Sequence, residues 1–561
     1  MRTLDGPLCT INCTDRSVET EDISDTLSAY IGGRGVGTKL AHERIPFDAD
    51  PLGPENRLYF AVGPFQTATM SFTGRMSATG LSPLTNGLLS SNAGGFVSRN
   101  MLDTGYPVLE LTGAADELMV ITVTNDGVDF HDVPELSEAT TDETCTYIAD
   151  TFGLDASHTI TIGPAGENAV RFAAIMTSES RAFGRGGLGA VLGSKGVKAI
   201  TVAGDSPLSV DMPELQSAVH REAAQSDHIM KRQGTTAVTA LANAVEALPT
   251  RYFSETAFEG AANIDGDQVE TKKYKKGTCS ACAFACKLPT KDEEAGVETE
   301  GPEYETVMAF GSNAGVDDIV SIMQSNELCD QYGLDTISCG DVISAYLASE
   351  DAFGDSALIH ELVEKIAYRK GIGDVLAEGI DRIHDQLGVA NWTVKGMEFS
   401  AHDGRTLNGQ GLGFATANRG ADHMYGEFYA LEYPLVPSEE AMDPTGLDGK
   451  PPKLVAKENI NAVKDSAVLC KFSRSFVSPE RLASLLDTDV PTLQAIGGNI
   501  VSLERHFNNQ RGFDQTDDTL PYREDIAGFD AALAEYYAVR GWNNDGTVPG
   551  RVLAEHPLLA D

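Results

Sequence analysis

Apolar residues in the first two hundred positions fall in short blocks suited to strands. Leu58-Tyr-Phe-Ala-Val62, Val108-Leu-Glu-Leu111, Thr159-Ile-Thr-Ile162 and Ala199-Ile-Thr-Val202 are each four or five residues long and rich in β-prone side chains. Val120-Ile-Thr-Val123 runs into Asn125-Asp-Gly127 and out through Val128-Asp-Phe130, which is the turn chemistry of a hairpin. Beyond Asp211 the period lengthens. Leu215, Val219 and Ala223 share one helical face, and Leu376, Ile380, Ile383 and Leu387 share another, with Asp374 as expected N-cap and Gly388 as stop. The β-prone Trp392-Thr-Val394 interrupts the helical pattern near residue 392. The expected class is α+β, with a sheet-rich part over residues 1–205 followed by mostly helical chain.

Length and composition narrow the class further. A chain of 561 residues with 42% hydrophobic content can bury the cores of two or three domains. Acidic residues outnumber basic ones by 83 to 42, for a formal charge of −41, which argues against nucleic acid as a partner. That surplus is spread along the chain and fits a salt-loaded cytoplasm, where the Debye length shrinks to about 3 Å near 1 M, hence a halophilic host. An acidic enzyme from a low-salt host is the alternative. Nine cysteines are too sparse for a disulfide framework and point to a reducing compartment. The start, Met-Arg-Thr-Leu-Asp-Gly-Pro, has no signal-peptide core, and no apolar run approaches the roughly 18 residues of a membrane span. A cytoplasmic protein without membrane association is expected.

Cys279, Cys282 and Cys286 are spaced C-x2-C-x3-C, and a lone Cys470 lies far downstream. Such a loop can place three thiolates around an iron–sulfur cluster, with Cys470 as fourth ligand. A zinc site of three or four cysteines is the main competitor, and plain core cysteines are the remaining reading. Gly184-Arg-Gly-Gly-Leu-Gly189 also fits the dinucleotide fingerprint, with Asp205 about 20 residues on. Against it, the helix that could follow these glycines is scarcely two turns long, and polar residues separate them from the preceding apolar run, Phe172–Met176.

Several further motifs surround the thiols: Gly74-Arg75, Arg181-Ala-Phe-Gly-Arg-Gly-Gly, Glu300-Gly-Pro-Glu-Tyr-Glu305, and the paired Asp330-Gln-Tyr-Gly-Leu-Asp335 and Asp465-Ser-Ala-Val-Leu-Cys470. Together with Tyr536-Tyr-Ala-Val-Arg-Gly-Trp542 near the end, they make the chain resemble the tungsten-containing aldehyde:ferredoxin oxidoreductase family over almost its whole length. The resemblance implies a sheet-rich base (1–205) for a tungsten, or molybdenum, bis-pterin. A helical domain (206–392) would carry the cysteine loop, and a helical C-terminal domain (393–561) the fourth cysteine. It further implies a [4Fe-4S] cluster on Cys279, Cys282, Cys286 and Cys470. The pterins would be held by Asp330, Asp335, Asp465 and Leu469, with Arg75 between cluster and pterin. Asn92, Gly94, Gly95, Arg181, Ala182 and Gly184 would approach the pterin phosphates and a bridging Mg2+. Glu305 and His423 would manage protons, with Glu303 as the alternative base. The implied reaction is oxidation of an aldehyde with water to a carboxylic acid, the electrons leaving for ferredoxin.

Two departures from the family pattern bear on that reading. Gln324 stands where members with an intersubunit iron offer a glutamate, although His360 supplies the histidine, so no bridging iron is expected and the inference of a homodimer is loosened. Val468 replaces the glycine of the second pterin motif. Independently of the family, Lys272, Lys273, Lys275 and Lys276 precede the cysteine loop in a lysine-poor chain, a positive collar suited to an acidic ferredoxin. A reductase subunit of a larger complex, acting for example on an aromatic acyl thioester, is the alternative function, and a zinc-stapled structural protein the remaining one.

Overall fold

The computed structural model describes residues 1–178, 180–205 and 212–554. The N-terminal part holds two six-stranded sheets. In the first, the order is Ser17–Glu21, Leu8–Asn12, Val108–Thr112, Leu58–Ala61, β1 (Arg75–Leu81) and β2 (Leu88–Gly94). In the second it is Arg181–Phe183, Ile175–Thr177, Thr159–Thr161, Val197–Ala203, Met119–Thr124 and Gly127–Asp132. Each sheet has one parallel pair, Leu8–Asn12 with Val108–Thr112 and Val197–Ala203 with Met119–Thr124; the other pairs are antiparallel. The expected sheet-rich start and the hairpin at Asn125–Gly127 are present, with Thr124 paired to Gly127. β1 and β2 give no apolar signal in the sequence, because RMSATGL and LLSSNAG are built of small and hydroxyl residues. They are nonetheless almost wholly buried, and small side chains there let other segments approach the strands.

Helices dominate the rest: α1 (Ile319–Tyr332), α2 (Thr336–Glu350), α3 (Lys450–Ser466) and the long α4 (Val490–Gln510) position the site. The first expected helix is Glu214–Gln225. The second departs from expectation, since Asp374 does not cap a helix running to Gly388. Two helices, Ile372–Leu376 and Ile380–Leu387, meet at Gly379, which has φ +84°. Buried Glu398 takes over as cap, its Oε1 accepting the Ile380 N–H at 3.0 Å. Gly388 ends the second helix in the left-handed conformation as expected. The interruption at Trp392 becomes the two-residue strands Thr393–Val394 and Met397–Glu398.

One apolar core runs from Leu4 to Val548 through both sheets and the helices, and a small second cluster (Val120, Val133, Leu136, Ile148, Ala199) packs under Thr141–Phe152. Among the described residues no helix is long and apolar enough to cross a membrane.

Candidate functional site

The cysteine loop docks on the turn that leads into β1. Ser280 N–H donates to Gly95 O at 2.9 Å, Ala283 N–H to Ser71 Oγ at 2.9 Å, and Cys470 N–H to Phe72 O at 2.8 Å. Thus residues 71–95 bring the fourth cysteine to the other three. The approach requires glycine: a Cβ on Gly74 would stand 2.7 Å from Ser280 O, and one on Gly94 2.9 Å from Cys279 Sγ. Phe72 packs between Phe284 and Phe476, at ring distances of 5.5 and 5.2 Å, and seals the loop.

Among the described residues no disulfide joins any of the cysteines. Burial pushes the Cys282, Cys286 and Cys470 thiols up, with the neighbouring thiols adding to the rise; Arg75 offsets it at Cys470. Such a cluster of buried sulfurs is stable as thiolates only when a cation is bound between them. One zinc ion, with bonds of about 2.3 Å, holds its thiolates about 3.8 Å apart, and no three of these sulfurs are among the described ligand atoms lying within 4.8 Å of one another. Among the described residues, the set that brings three ligand atoms within 4.8 Å is not thiolate but Glu305, His402 and His423. The four cysteines therefore fit a multi-iron cluster better than a zinc staple.

A cavity of about 240 Å³ lies beside the thiols. Arg75, Asn92, Gly184, Asp335, Asp465, Leu469 and His423 line it, so one space gathers seven of the expected residues from both halves of the chain. Arg75 reaches across with Nε on Asn92 Oδ1 and Nη2 on Asn92 O. Arg34, Arg419 and Lys471 complete the wall together with Arg185, which lies inside the Arg181–Gly187 motif. Arg34 is fully buried over the Tyr425 ring at 3.4 Å and bridges Glu504 at 2.7 Å and Asp465 at 3.3 Å. Many wall atoms are buried without a hydrogen-bond partner, among them Asn92 Nδ2, Arg185 Nη1, Arg419 Nε, Asp335 Oδ2 and Lys471 Nζ. Arg185 and Asp335 stand 3.0 Å apart yet are misaligned for a hydrogen bond. A cavity that leaves both donors and acceptors orphaned fits a polar guest with both, as a pterin with its amide and amine edges and phosphate is.

The paired aspartate motifs share a backbone. α1 ends at Gly333 (φ +73°), and Leu334 N–H then donates to Cys329 O at 2.9 Å; beyond α3, Val468 (φ +49°) takes the same left-handed place and Leu469 N–H donates to Lys464 O at 2.8 Å. Asp335 caps α2 through Ile337 N–H at 3.1 Å. Asp330, however, does not reach the cavity. It lines a separate pocket of about 490 Å³ with Glu300, Glu327 and Ser180, and burial together with Glu327 pushes its carboxyl well above the usual range. Arg181 stands nearby, paired with Glu300 and, at 3.7 Å, with Glu303, its Nε unpartnered; Ala182 pairs with Met176 in the second sheet.

Glu305 sits in the short helix Tyr304–Val307. Its Oε2 accepts Ala401 N–H at 2.8 Å, while Oε1 lies 3.3 Å from His423 Nε2 and 3.7 Å from His402 Nε2 and has no hydrogen-bond partner. Glu303, the alternative base, points elsewhere, to Thr235 Oγ1 and Arg181. His402 went unseen in the sequence because it stands alone in Ser400-Ala-His-Asp403, at a left-handed φ of +74°. It stacks on Tyr429 with centroids 3.9 Å apart, and burial, then His423, pushes its pKa well below the ordinary value.

The remaining expected residues are placed as follows. Lys272 pairs with Asp292 at 2.6 Å, Lys273 Nζ donates to Lys231 O at 3.0 Å, Lys275 lies 4.9 Å from the Tyr274 ring centroid, and Lys276 is exposed. His360 Nε2 lies 3.1 Å from Ser321 O, on the helix that carries Gln324. The Gly184–Gly189 turn follows a three-residue strand and opens a helix of seven residues, and Asp205 N–H is held by Asn125 Oδ1 at 2.7 Å. This is too short a unit for a dinucleotide site.

The family model described as aldehyde ferredoxin oxidoreductase, N-terminal domain, matches residues 8–204, and that described as aldehyde ferredoxin oxidoreductase, domains 2 and 3, matches residues 214–558. The tungsten-containing aldehyde ferredoxin oxidoreductase of Thermococcus kodakarensis is 32% identical, over 99% of this chain and 99% of its own. The protein of the same name from Pyrococcus furiosus is 32% identical over 98% of each. Among solved structures, the active site complex BamBC of benzoyl coenzyme A reductase, in complex with 1,5-dienoyl-CoA, superposes with a TM-score of 0.82 at 21% identity, covering 100% of this chain and 98% of that one. That last likeness is one of fold.

Proposed function

Because the chain belongs to the aldehyde ferredoxin oxidoreductase family, we propose that it oxidises an aldehyde with water to a carboxylic acid and passes the electrons to ferredoxin. The balance is one aldehyde and one water to one carboxylic acid, two protons and two electrons. When bound, the tungsten pterin implied by the family supplies the two-electron oxidation, and the iron–sulfur cluster carries the electrons outward.

The chain's own residues have three tasks. Asp335, Asp465, Leu469, Arg75 and the arginines of the cavity would hold the pterin, with Asp335, Arg185 and Arg419 using buried atoms that are otherwise orphaned. The Asn92–Gly95 and Arg181–Ala182 segments would approach the phosphates of the cofactor and a Mg2+ bound there, and Asp330 would take part only if the cofactor extended to its separate pocket. Cys279, Cys282, Cys286 and Cys470 would ligate a [4Fe-4S] cluster, and Arg75, which lines the cavity and offsets the rise at Cys470, would reach both groups. Glu305 and His423, 3.3 Å apart with His423 on the cavity wall, take up and release the two protons. Ferredoxin docks near Lys272, Lys273, Lys275 and Lys276, of which Lys275 and Lys276 are the exposed pair.

The observation that carries this reading is the meeting of Cys470 with the cysteine loop beside a cavity lined by Asp335, Asp465 and His423. Anaerobically purified protein from tungstate-supplemented cells is the test material. It is expected to contain tungsten and iron and to reduce ferredoxin with a panel of aldehydes. Protein that holds tungsten and iron but turns over no aldehyde, and gains activity on an aromatic acyl thioester with a partner subunit, would favour the reductase reading instead. Activity in protein free of both tungsten and molybdenum would end both.

A further inference from the structure

We propose that Glu305, His402 and His423 form a binding site for one divalent transition-metal ion of the Zn2+ or Co2+ class, separate from the cysteine set. Their ligand atoms lie within 4.8 Å of one another. The separations choose between two explanations of the cluster. At 3.3 and 3.7 Å, Glu305 Oε1 is long for a hydrogen bond to His423 Nε2 and beyond one to His402 Nε2. Ligands bound at about 2.0–2.2 Å to one ion, subtending roughly 90–120°, stand about 2.9–3.8 Å apart. Both observed separations fall in that interval. Oε1 is moreover buried and unpaired, which a bound cation would correct.

The outer contacts hold the three groups in place. Ala401 N–H fixes Oε2 at 2.8 Å and leaves Oε1 turned inward. Ser400 Oγ lies 2.8 Å from His423 Nδ1, and Tyr433 OH 3.2 Å from His402 Nδ1. Each ring is thus anchored through one nitrogen and presents the other to the shared point, the arrangement by which ligating imidazoles are oriented. The parallel stack on Tyr429 fixes the His402 plane. Two imidazoles and one carboxylate suit borderline divalent ions and leave further coordination positions to water. His423 lines the cavity, which gives an ion its approach to the shared point. An ion held here occupies the atoms assigned above to proton transfer; on that reading the site is inhibitory.

The test uses anaerobic holoprotein with its cluster intact, freed of loose ions by chelator and titrated with Zn2+ in a calorimeter with elemental analysis. One Zn2+ per chain is expected. His402→Gln should weaken it at least about 100-fold, and Ser400→Ala and Tyr433→Phe about 10- to 100-fold each. The latter two keep the ligands and the fold, so they decide the matter if the His402 variant does not fold. Binding that is absent, or unchanged in all three variants, overturns the site. Zn2+ should also suppress aldehyde-dependent dye reduction reversibly, with chelator restoring it. Stoichiometric Zn2+ binding in a protein that oxidises no aldehyde would uphold the site while removing the functional reading; full aldehyde activity without Zn2+ binding would do the reverse.

Discussion

The two aspartate motifs, Asp330–Asp335 and Asp465–Cys470, adopt the same helix end and put it to different use. Both close with a left-handed residue and a hydrogen bond reaching five residues back. The first leaves a carboxylate, Asp335, against the cavity where the second leaves a thiol, Cys470, against the cysteine loop. Their leading aspartates differ as well. Asp465 is held between Arg34 and Lys471, while Asp330 is buried among carboxylates. A short sequence echo thus fixes a shared backbone but says little about charge environment, which comes from whatever the rest of the chain packs beside it.

The largest test of that contrast is Cys470→Ala, expected to lose the cluster's iron and visible absorption and to abolish turnover. Asp335→Asn should keep the iron while lowering turnover about 100-fold through a misplaced cofactor. Next is Asp465→Asn, which breaks a buried ion pair and should cost about 3 kcal/mol, read as a lower melting temperature. Gly333→Val makes the first turn resemble the second. It adds about 1–2 kcal/mol of left-handed strain and sets a Cβ 2.8 Å from Gly163 N, for about 3 kcal/mol in all.

Asp330→Asn should act in the opposite direction. Burial keeps the Asp330 carboxyl protonated in the folded chain at pH values where the unfolded chain, at its ordinary 3.8, has already released the proton. Its contribution to stability is complete below that value and is lost as pH rises through the folded value. The asparagine variant should therefore melt above wild type at neutral pH, the gap closing as pH falls toward 3.8. The smallest effect is expected of Val468→Gly. Relief of about 1–2 kcal/mol of strain is offset by loss of a side chain packed toward Gly33 and Gly63, leaving a net change within about 1 kcal/mol.

The same contrast marks how far the sequence could be read. Strands whose apolar residues form a run, such as Leu58–Ala61 and Met119–Thr124, are legible because burial on both faces selects branched side chains. The hairpin of β1 and β2 is not, since its small residues are selected by what must approach it, the loop at Cys279–Ser280. Three of the thiols stand out by their spacing, since a chelating loop demands closeness in sequence, whereas Cys470 carries no such signal. Arg34 and His402 carry no such local signature; each matters only through partners up to 470 residues away. The lysine collar shows the converse. Its residues stand out by composition, yet Lys272 and Lys273 are already engaged by Asp292 and by backbone carbonyls.

The cavity wall draws on Arg34, Arg75, Arg185, Asp335, Arg419 and Lys471, positions scattered over most of the polypeptide. No growing chain owns a complete binding chamber until synthesis has passed Lys471, and α4, which clasps Arg34 through Glu504, follows later still. A guest of this chamber therefore finds its complete wall only after Arg34 has met a helix made some 470 residues later.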